Sequence, residues 1–301
     1  MPELPEVETT VRGLKKEIVN LKILDIWTDL NTKDIRKIDT IANKKYFPVF
    51  RKEVIDKKII SAERRAKNIL INLSDNKTIL IHLKMTGHLL YGKYQYLKKE
   101  NKWLPKELGP LQDPYNRFTH VVFTLSNKKH LVFSDARKFG KITLFDTDIA
   151  YTKHLNNLGP EPLDKQFTFS NFKLRINKKP NGKIKTVLMD QSTIVGIGNI
   201  YSDEILWLSC VSPKRKVSQL KEIELKNIFN SMKKLLKMGI NFGGDSMSDY
   251  RNIYGLPGKF QMHHMAYRRT GQKCLKRGCT GIIVREMINN RSAHFCSKHQ
   301  K

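Results

Sequence analysis

Acidic residues are scarce in this chain. Its 301 residues carry 28 Asp and Glu against 56 Lys and Arg, a formal net charge of +28 with histidine neutral. That excess argues against cationic partners and calls for a polyanion or an anionic surface. Nucleic acid is the default, because Lys and Arg that neutralise phosphates release condensed counterions. An AT-rich genome would also load a chain with Lys, Asn and Ile, and the two readings are compatible. Long apolar runs are missing too. No stretch approaches the ~20 residues that span a bilayer, and Met-Pro-Glu-Leu-Pro is not a basic-then-apolar leader. Cysteine is sparse: Cys210 stands alone, while Cys274, Cys279 and Cys296 crowd the tail. In a chain expected to stay inside the cell, such clustering favours a metal site over a disulfide framework. A hydrophobic content of 40% excludes a disordered chain, and the length suffices for two compact domains.

The apolar pattern changes character along the chain. Residues 3 to 19 read as one amphipathic helix, with Val7, Val11, Leu14 and Ile18 on one face and Pro2 and Pro5 at its tolerant start. Alternation then takes over. Asn68 to Leu73 and Thr78 to Leu83 flank the turn Ser74-Asp75-Asn76-Lys77, and His120 to Leu125 returns through Leu131-Val132-Phe133. Repeated hairpins point to a sandwich or a barrel. The segment Tyr91 to Arg117 reads as a long polar connection that fits a functional or a disordered role, with disorder at its tip preferred. A boundary falls near Leu158-Gly159-Pro160. Beyond it, Ile184 to Leu208 is helical with a glycine turn at Gly196-Ile197-Gly198. Ile223 to Met238 is a further helix, ended by Gly243-Gly244. Residues 241 to 262 read as a flexible loop.

Two places carry chemistry. Cys274-x4-Cys279 and Cys296-x2-His299 offer two close pairs separated by a hairpin-sized span, a set that can converge on one tetrahedral ion, as suits Zn²⁺. A tail this short cannot bury a core, so the metal would supply its folding energy; the bland alternative is three unpaired thiols. His294 lies out of step with the Cys296 pair, and Cys210, among Leu206, Trp207 and Leu208, reads as a buried structural thiol. At the other end, Pro2-Glu3-Leu4-Pro5-Glu6 taken alone is an ordinary helix start. Removal of Met1 would expose a secondary amine, and an α-amino group titrates near ~8, far below lysine, so part of it is nucleophilic at neutral pH. Attack on a sugar carbon would give an iminium, an electron sink for elimination. Glu3 and Glu6, at i and i+3, can both face that amine and move protons.

At this point the chain resembles the bacterial formamidopyrimidine-DNA glycosylases. Met1-Pro-Glu-Leu-Pro-Glu-Val-Glu8 is similar to their opening. Arg64-Arg-Ala-Lys67, His82-Leu-Lys-Met-Thr-Gly87, Asp135-Ala-Arg-Lys-Phe-Gly140, Leu158-Gly-Pro-Glu-Pro-Leu163, and Leu188-Met-Asp-Gln with Val195-Gly-Ile-Gly-Asn-Ile-Tyr201 follow in family order. The resemblance implies an α+β fold: an N-terminal β-sandwich flanked by helices over 1–155, a helical helix-two-turn-helix domain with a lesion-side loop over 156–262, and a β-hairpin zinc finger over 263–301. It implies a bifunctional enzyme that excises oxidised purines (8-oxoguanine and formamidopyrimidines) from duplex DNA and cleaves the abasic strand by β,δ-elimination. Pro2 would be the nucleophile, Glu3 the proton donor to the sugar, Glu6 its support, and Lys67 a phosphate contact that joins in elimination. Met85, Arg137 and Phe139 would fill the hole left by the extruded nucleotide, with Lys138 beside them. Without the resemblance, Met85 and Phe139 would read as core and Lys67 as a solvated strand-end lysine. Lys185 and Asn199 would bind backbone phosphates, as would Arg291 in the finger, which is counted with the catalytic group; His120 would contact DNA. One structural Zn²⁺ per chain, a monomeric state and a cytoplasmic place on the nucleoid complete the expectation.

Three departures stand out. The first cysteine pair is stretched and the last ligand is His299, where the family finger has two CxxC pairs. Lys138 replaces an arginine and loses bidentate phosphate geometry. The connection before His120 is longer than the family needs. The rival enzyme is an endonuclease VIII-like glycosylase for oxidised pyrimidines, against which Leu4-Pro5-Glu6-Val7 argues. The rival from another class is a non-catalytic DNA-binding protein, against which the presence of Pro2, Glu3 and Lys67 argues.

Overall fold

The computed structural model describes residues 1–32, 34, 37–149, 155–247 and 249–301. By contacts the chain forms two compact units. Unit 1 comprises Met1–Pro2, Glu6–Asn156 and Gly243–Lys259, and unit 2 comprises Glu3–Pro5, Asn157–Phe242 and Phe260–Lys301. Compared with the expected division by role, 243–259 therefore groups with the N-terminal part, and the finger groups with the helices. Of the span expected for the N-terminal domain, residues 33, 35, 36 and 150–154 lie outside the described residues, as does residue 248 of the 241–262 segment.

In unit 1, helix α1 (Leu4–Glu17) precedes β1 (Ile23–Thr28), α2 (Tyr46–Val54), β2 (Ile59–Arg65), β3 (Asn68–Leu73), β4 (Lys77–His82), β5 (His88–Gly92), β6 (Tyr94–Leu97), β7 (Lys102–Pro105), β8 (Thr119–Leu125), β9 (His130–Ser134), β10 (Lys141–Asp146) and the single turn α3 (Thr147–Ile149). Two antiparallel four-stranded sheets, β1-β8-β9-β5 and β10-β4-β3-β2, share one core. Alternate residues make it: Ile69, Ile71 and Leu73 from β3, Ile79 and Ile81 from β4, and Val121, Phe123 and Leu125 from β8. The apolar stripe of α1, Val7, Val11, Leu14 and Ile18, is buried against them. Both hairpins read from alternation form. Asn72 pairs with Thr78 across a turn whose Asp75 and Asn76 take φ of 61° and 55°, and Thr124 pairs with His130.

Two expectations change here. The 91–117 connection is built, not loose: β6 and β7 pair, and one-turn 3-10 helices follow at Pro110–Gln112 and Pro114–Asn116. Its aromatic residues explain the order. Trp103 and Tyr96 close on Trp27 at centroid distances of 6.4 and 6.0 Å, and Tyr94 and Leu111 join Leu90, Val122 and Val132 in a second small core. The segment 241–262 is likewise packed, because Tyr250 and Ile253 are buried and Ile253 belongs to the main core.

Unit 2 contains α4 (Phe169–Asn177), α5 (Ile184–Met189), α6 (Asn199–Leu208), α7 (Glu222–Asn241) and the hairpin β11 (Ile283–Ile288) and β12 (Arg291–Cys296). Phe172, Ile184, Leu188, Ile205, Ile228 and Met232 centre its core. Between α5 and α6 the chain makes two turns. Gln191 knits them, its Oε1 accepting from Gly196 N at 2.8 Å and its Nε2 donating to Ile197 O at 2.9 Å. Gly196 takes φ +86°, and a Cβ there would lie 2.6 Å from the Leu4 Cβ. Among the described residues, no helix is long and apolar enough to cross a membrane.

Candidate active site

The N-terminal turn of α1 places three functional candidates side by side in sequence. Pro2, Glu3 and Glu6 are all buried, and buried carboxylates need donors. Glu3 finds them at the start of α6: its carboxylate accepts from Gly198 N at 2.5 Å, Ile200 N at 2.8 Å and Tyr201 N at 3.4 Å. These amides lack helical partners, and the dipole there favours a negative group. Gly198 makes the approach possible, since a Cβ on it would sit 2.5 Å from the Glu3 carboxyl carbon. Glu6 is held separately. Asp245 N donates to its carboxylate at 2.7 Å, beside Gly244 with φ +87°.

Lys67 lies on the two-residue turn joining β2 to β3, after Ala66 at φ 57°, and is only 6% exposed. It is therefore not the solvated strand-end lysine of the plain reading. Its charge is felt at His82, whose pKa falls to about 3, first through burial, then through Lys84 and Lys67. His82 Nδ1 accepts from Lys84 N at 3.0 Å, which fits a neutral ring.

Met85, Arg137, Lys138 and Phe139 come together on two neighbouring loops. Asp135 is the reason. Wholly buried, it accepts from the Thr86 hydroxyl and from Gly140 N at 2.7 Å, while Thr86 Oγ1 accepts from Arg137 N at 3.1 Å. The loop tips are left outward: Met85 is 42% exposed, Phe139 is 45% exposed, and the Arg137 guanidinium rests 4.5 Å over the Phe139 ring. Met85 and Phe139 are thus not core residues. Nearby, His120 Nδ1 is 2.8 Å from Asp29, whose other oxygen lies 4.0 Å from the Lys138 ammonium.

Lys185 occupies a different place from the one expected of a phosphate contact. It is wholly buried at 0% exposure, its ammonium 2.5 Å from Asp203 and 3.1 Å from Ser202 Oγ. Burial pushes its pKa down while Asp203 pulls it up. The residue offers no exposed charge; it underpins the turn, reaching Asn199 O at 3.5 Å. Asn199 opens α6, and its Nδ2 lies 3.5 Å from Ser292 Oγ, next in sequence to Arg291, which is exposed at the hairpin end.

The tail residues Cys274, Cys279, Cys296 and His299 do converge. Their ligand atoms all lie within 4.8 Å of one another, a set that could hold a metal ion. Each sulfur accepts from the amide two residues on, Lys276 N at 3.5 Å, Gly281 N at 3.3 Å and Lys298 N at 3.4 Å. His299 Nε2 meets Trp207 O at 3.2 Å, leaving Nδ1 turned to the sulfurs of Cys274 and Cys279. Such an outer bond fixes ring orientation at metal sites. Gly281 is required, because a Cβ would lie 2.6 Å from the Cys296 sulfur. The stretched first pair therefore does not prevent convergence. His294 stays outside, bonded through Nδ1 to Asp203 at 3.0 Å. Cys210 is only half-buried, with the Lys276 ammonium against its sulfur, so the buried thiol read from its neighbours is corrected.

Models of two formamidopyrimidine-DNA glycosylase regions match this chain, the N-terminal domain over residues 1–142 and the H2TH domain over residues 158–251. The formamidopyrimidine-DNA glycosylase of Herpetosiphon aurantiacus is 36% identical over 300 residues, covering 98% of both chains. This chain belongs to the formamidopyrimidine-DNA glycosylase family. The relative from Pelotomaculum thermopropionicum is 35% identical over 302 residues, covering 100% of this chain and 99% of that one. Among solved structures, wild-type Lactococcus lactis Fpg bound to DNA containing N7-benzyl-Fapy-dG superposes with a TM-score of 0.83 at 31% identity, covering 100% of both chains. A Lactococcus lactis Fpg complex with abasic-site DNA gives 0.83 at 30% identity over 99% of each.

Within this glycosylase family frame, sequence reasoning overlooked two buried acids on α6. Asp203 accepts from Lys185 and from His294 N at 2.9 Å. Glu204 accepts from three successive amides, Met265, Ala266 and Tyr267, at 2.8, 3.0 and 2.8 Å. Burial pushes its carboxyl up, while His264 and those amides pull against it. The available signal was an acidic pair inside the otherwise apolar run Ile200 to Leu208. These acids seat the finger on the helix that also holds Glu3.

Proposed function

We propose that this chain excises oxidised purines, 8-oxoguanine and ring-opened formamidopyrimidines, from duplex DNA and then cleaves the abasic strand, with Pro2 as the nucleophile. One observation carries the site assignment: Glu3, the residue after Pro2, is clamped by three α6 amides, so the start of the chain is fixed in place. This fixes the carboxylate beside the Pro2 nitrogen in sequence, as a proton-moving partner of that amine requires.

The chemistry follows from the residue types. With Met1 removed, the Pro2 nitrogen is a secondary amine that attacks the sugar carbon bearing the base. The base departs with its bonding electrons and takes up the proton that the Pro2 nitrogen sheds, and the ring opens to an iminium on Pro2. Glu3 supplies the proton to the sugar oxygen and Glu6 supports it. The iminium acidifies the adjacent carbon, so loss of that proton expels the 3′ phosphate and a second elimination expels the 5′ phosphate. The target sugar cannot be reached inside the stack, so the nucleotide is everted. Met85, Phe139 and Arg137 fill the gap as an apolar and cationic wedge, Arg137 facing the orphaned cytosine. Lys67, His120, Lys138, Asn199 and Arg291 contact DNA, with Lys185 acting from behind Asn199. Zn²⁺ suits the Cys274, Cys279, Cys296 and His299 donor set, one ion per chain, and would fold the tail that presents Arg291. The protein works as a monomer in the cytoplasm.

Borohydride trapping on an 8-oxoguanine·cytosine duplex tests the reading. A covalent protein–DNA adduct forms with the wild type and is lost in Pro2→Gly, which still binds the lesion. Unchanged turnover in Pro2→Gly, or activity from a chain that retains Met1, would overturn the nucleophile; faster cutting of thymine glycol would point to the pyrimidine enzymes.

A further inference from the structure

The 93–117 connection takes no part in the chemistry above, yet it is bonded to the segment that leads out of the lesion-side loop. Arg251 is buried, and its guanidinium pairs with Asp113 at 3.1 Å while lying 4.5 Å over the Tyr115 ring and donating to Tyr250 O at 2.9 Å. Asn116, also buried, donates to Pro110 O at 2.9 Å and Gly255 O at 3.5 Å, and its Oδ1 is 2.9 Å from His88 Nε2. Gly255, at φ +83°, comes so near that a Cβ would lie 2.5 Å from Pro110 O. The other end of the loop is tied to the catalytic helix: Asp245 N bonds the Glu6 carboxylate and the Tyr250 hydroxyl donates to Glu6 O at 2.9 Å. Ser246 Oγ closes the base of the loop, donating to Tyr250 O at 2.7 Å and accepting from Gly258 N at 2.8 Å.

We propose that Asp113 and Asn116, acting through Arg251 and Gly255, are positioning residues that set the lesion-side loop for work on an everted oxidised base. This rests on the proposed function and on the reading of 241–262 as the lesion-side loop that engages the everted base. A buried guanidinium must keep its carboxylate partner. Without Asp113, Arg251 leaves its slot and carries the Tyr250–Arg251 backbone with it, loosening the loop at one end only. Displacements near 1 Å remote from the reacting atoms cost up to ~100-fold in rate; one shell further out, about tenfold is expected. The elimination step has no base to hold, and the end of the loop that bonds Glu6 stays in place.

The test uses full-length Asp113→Ala and the conservative Asp113→Asn. Three measurements are made: single-turnover excision from an 8-oxoguanine duplex, cleavage of a duplex with a preformed abasic site, and amide exchange at 245–253. Asp113→Ala should excise about tenfold more slowly, cleave the abasic duplex within twofold of wild type, and exchange faster at 245–253. Asp113→Asn should be intermediate. Equal losses on both substrates would mean that Asp113 merely supports the fold, and the proposal fails. Faster exchange with undiminished excision would overturn the reading that the loop serves the base. No change in exchange or excision would overturn the brace alone.

Discussion

Replacing Gly198 by alanine probes the seat of Glu3, on which the proposed chemistry turns. The added Cβ would lie 2.5 Å from the Glu3 carboxyl carbon and 2.6 Å from its Oε1, whereas ordinary contact begins at 3.4 Å. The glycine has φ −134°, which alanine adopts without strain, so the effect is purely one of space. The carboxylate must retreat by about 1 Å, a displacement that costs up to ~100-fold in rate when it misaligns a reacting group. Its bonds from Gly198, Ile200 and Tyr201 would lengthen or break. Each hydrogen bond to a charged group is worth about 2 kcal/mol, so a net loss of roughly 2–4 kcal/mol of unit 2 stability is expected. The assay is single-turnover excision from an 8-oxoguanine duplex beside urea unfolding followed by tryptophan fluorescence. Trp207 lies on α6 and reports the element concerned. Borohydride trapping on a preformed abasic site separates the roles, because on the proposed mechanism it depends on Pro2 more than on departure of a base. Wild-type excision with a wild-type midpoint would show that Glu3 is not held by this turn, and the reasoning would fail.

Two further outcomes follow from the geometry. His82 has a folded pKa of about 3 against 6.5 unperturbed. Between those values the unfolded chain binds a proton that the native chain refuses, so stability falls as pH drops below 6.5, by about 2 kcal/mol at pH 5. His82→Asn keeps an acceptor for Lys84 N and should flatten the decline of the urea midpoint between pH 7 and 5; an unaltered slope would reassign the acid sensitivity. Cys296→Ala removes a wholly buried ligand and should lower bound metal, measured by elemental analysis, together with DNA affinity, by about tenfold or more; stoichiometric metal in the variant would show that the ligand set is wrong.

Much of this architecture was legible because two periodicities and the turn chemistry agreed. The alternation in 68–83 and 120–133 had only one register that buried Ile and Val, and Asp75-Asn76 tolerate the positive φ of the turn. The 91–117 connection was misread for a physical reason. Its lysines are spaced among Tyr94, Tyr96 and Trp103, and the ring against which Tyr96 and Trp103 pack, Trp27, lies far off in sequence. The convergence of Cys274, Cys279, Cys296 and His299 was legible from spacing alone. Lys185 was not, since sequence places a charge without saying whether Asp203 will bury it. Glu3 was suggested as an acid by its neighbour Pro2, yet its three amide partners come from a glycine turn 195 and more residues away.

That separation has a consequence for when the enzyme becomes dangerous. Glu3 leaves the ribosome long before the amides that orient it, which belong to a turn two-thirds of the way along the chain. A nascent or clipped polypeptide that lacks α6 holds a Glu3 without those donors. On the proposed mechanism, strand scission would wait until the polypeptide has been made far enough to supply α6.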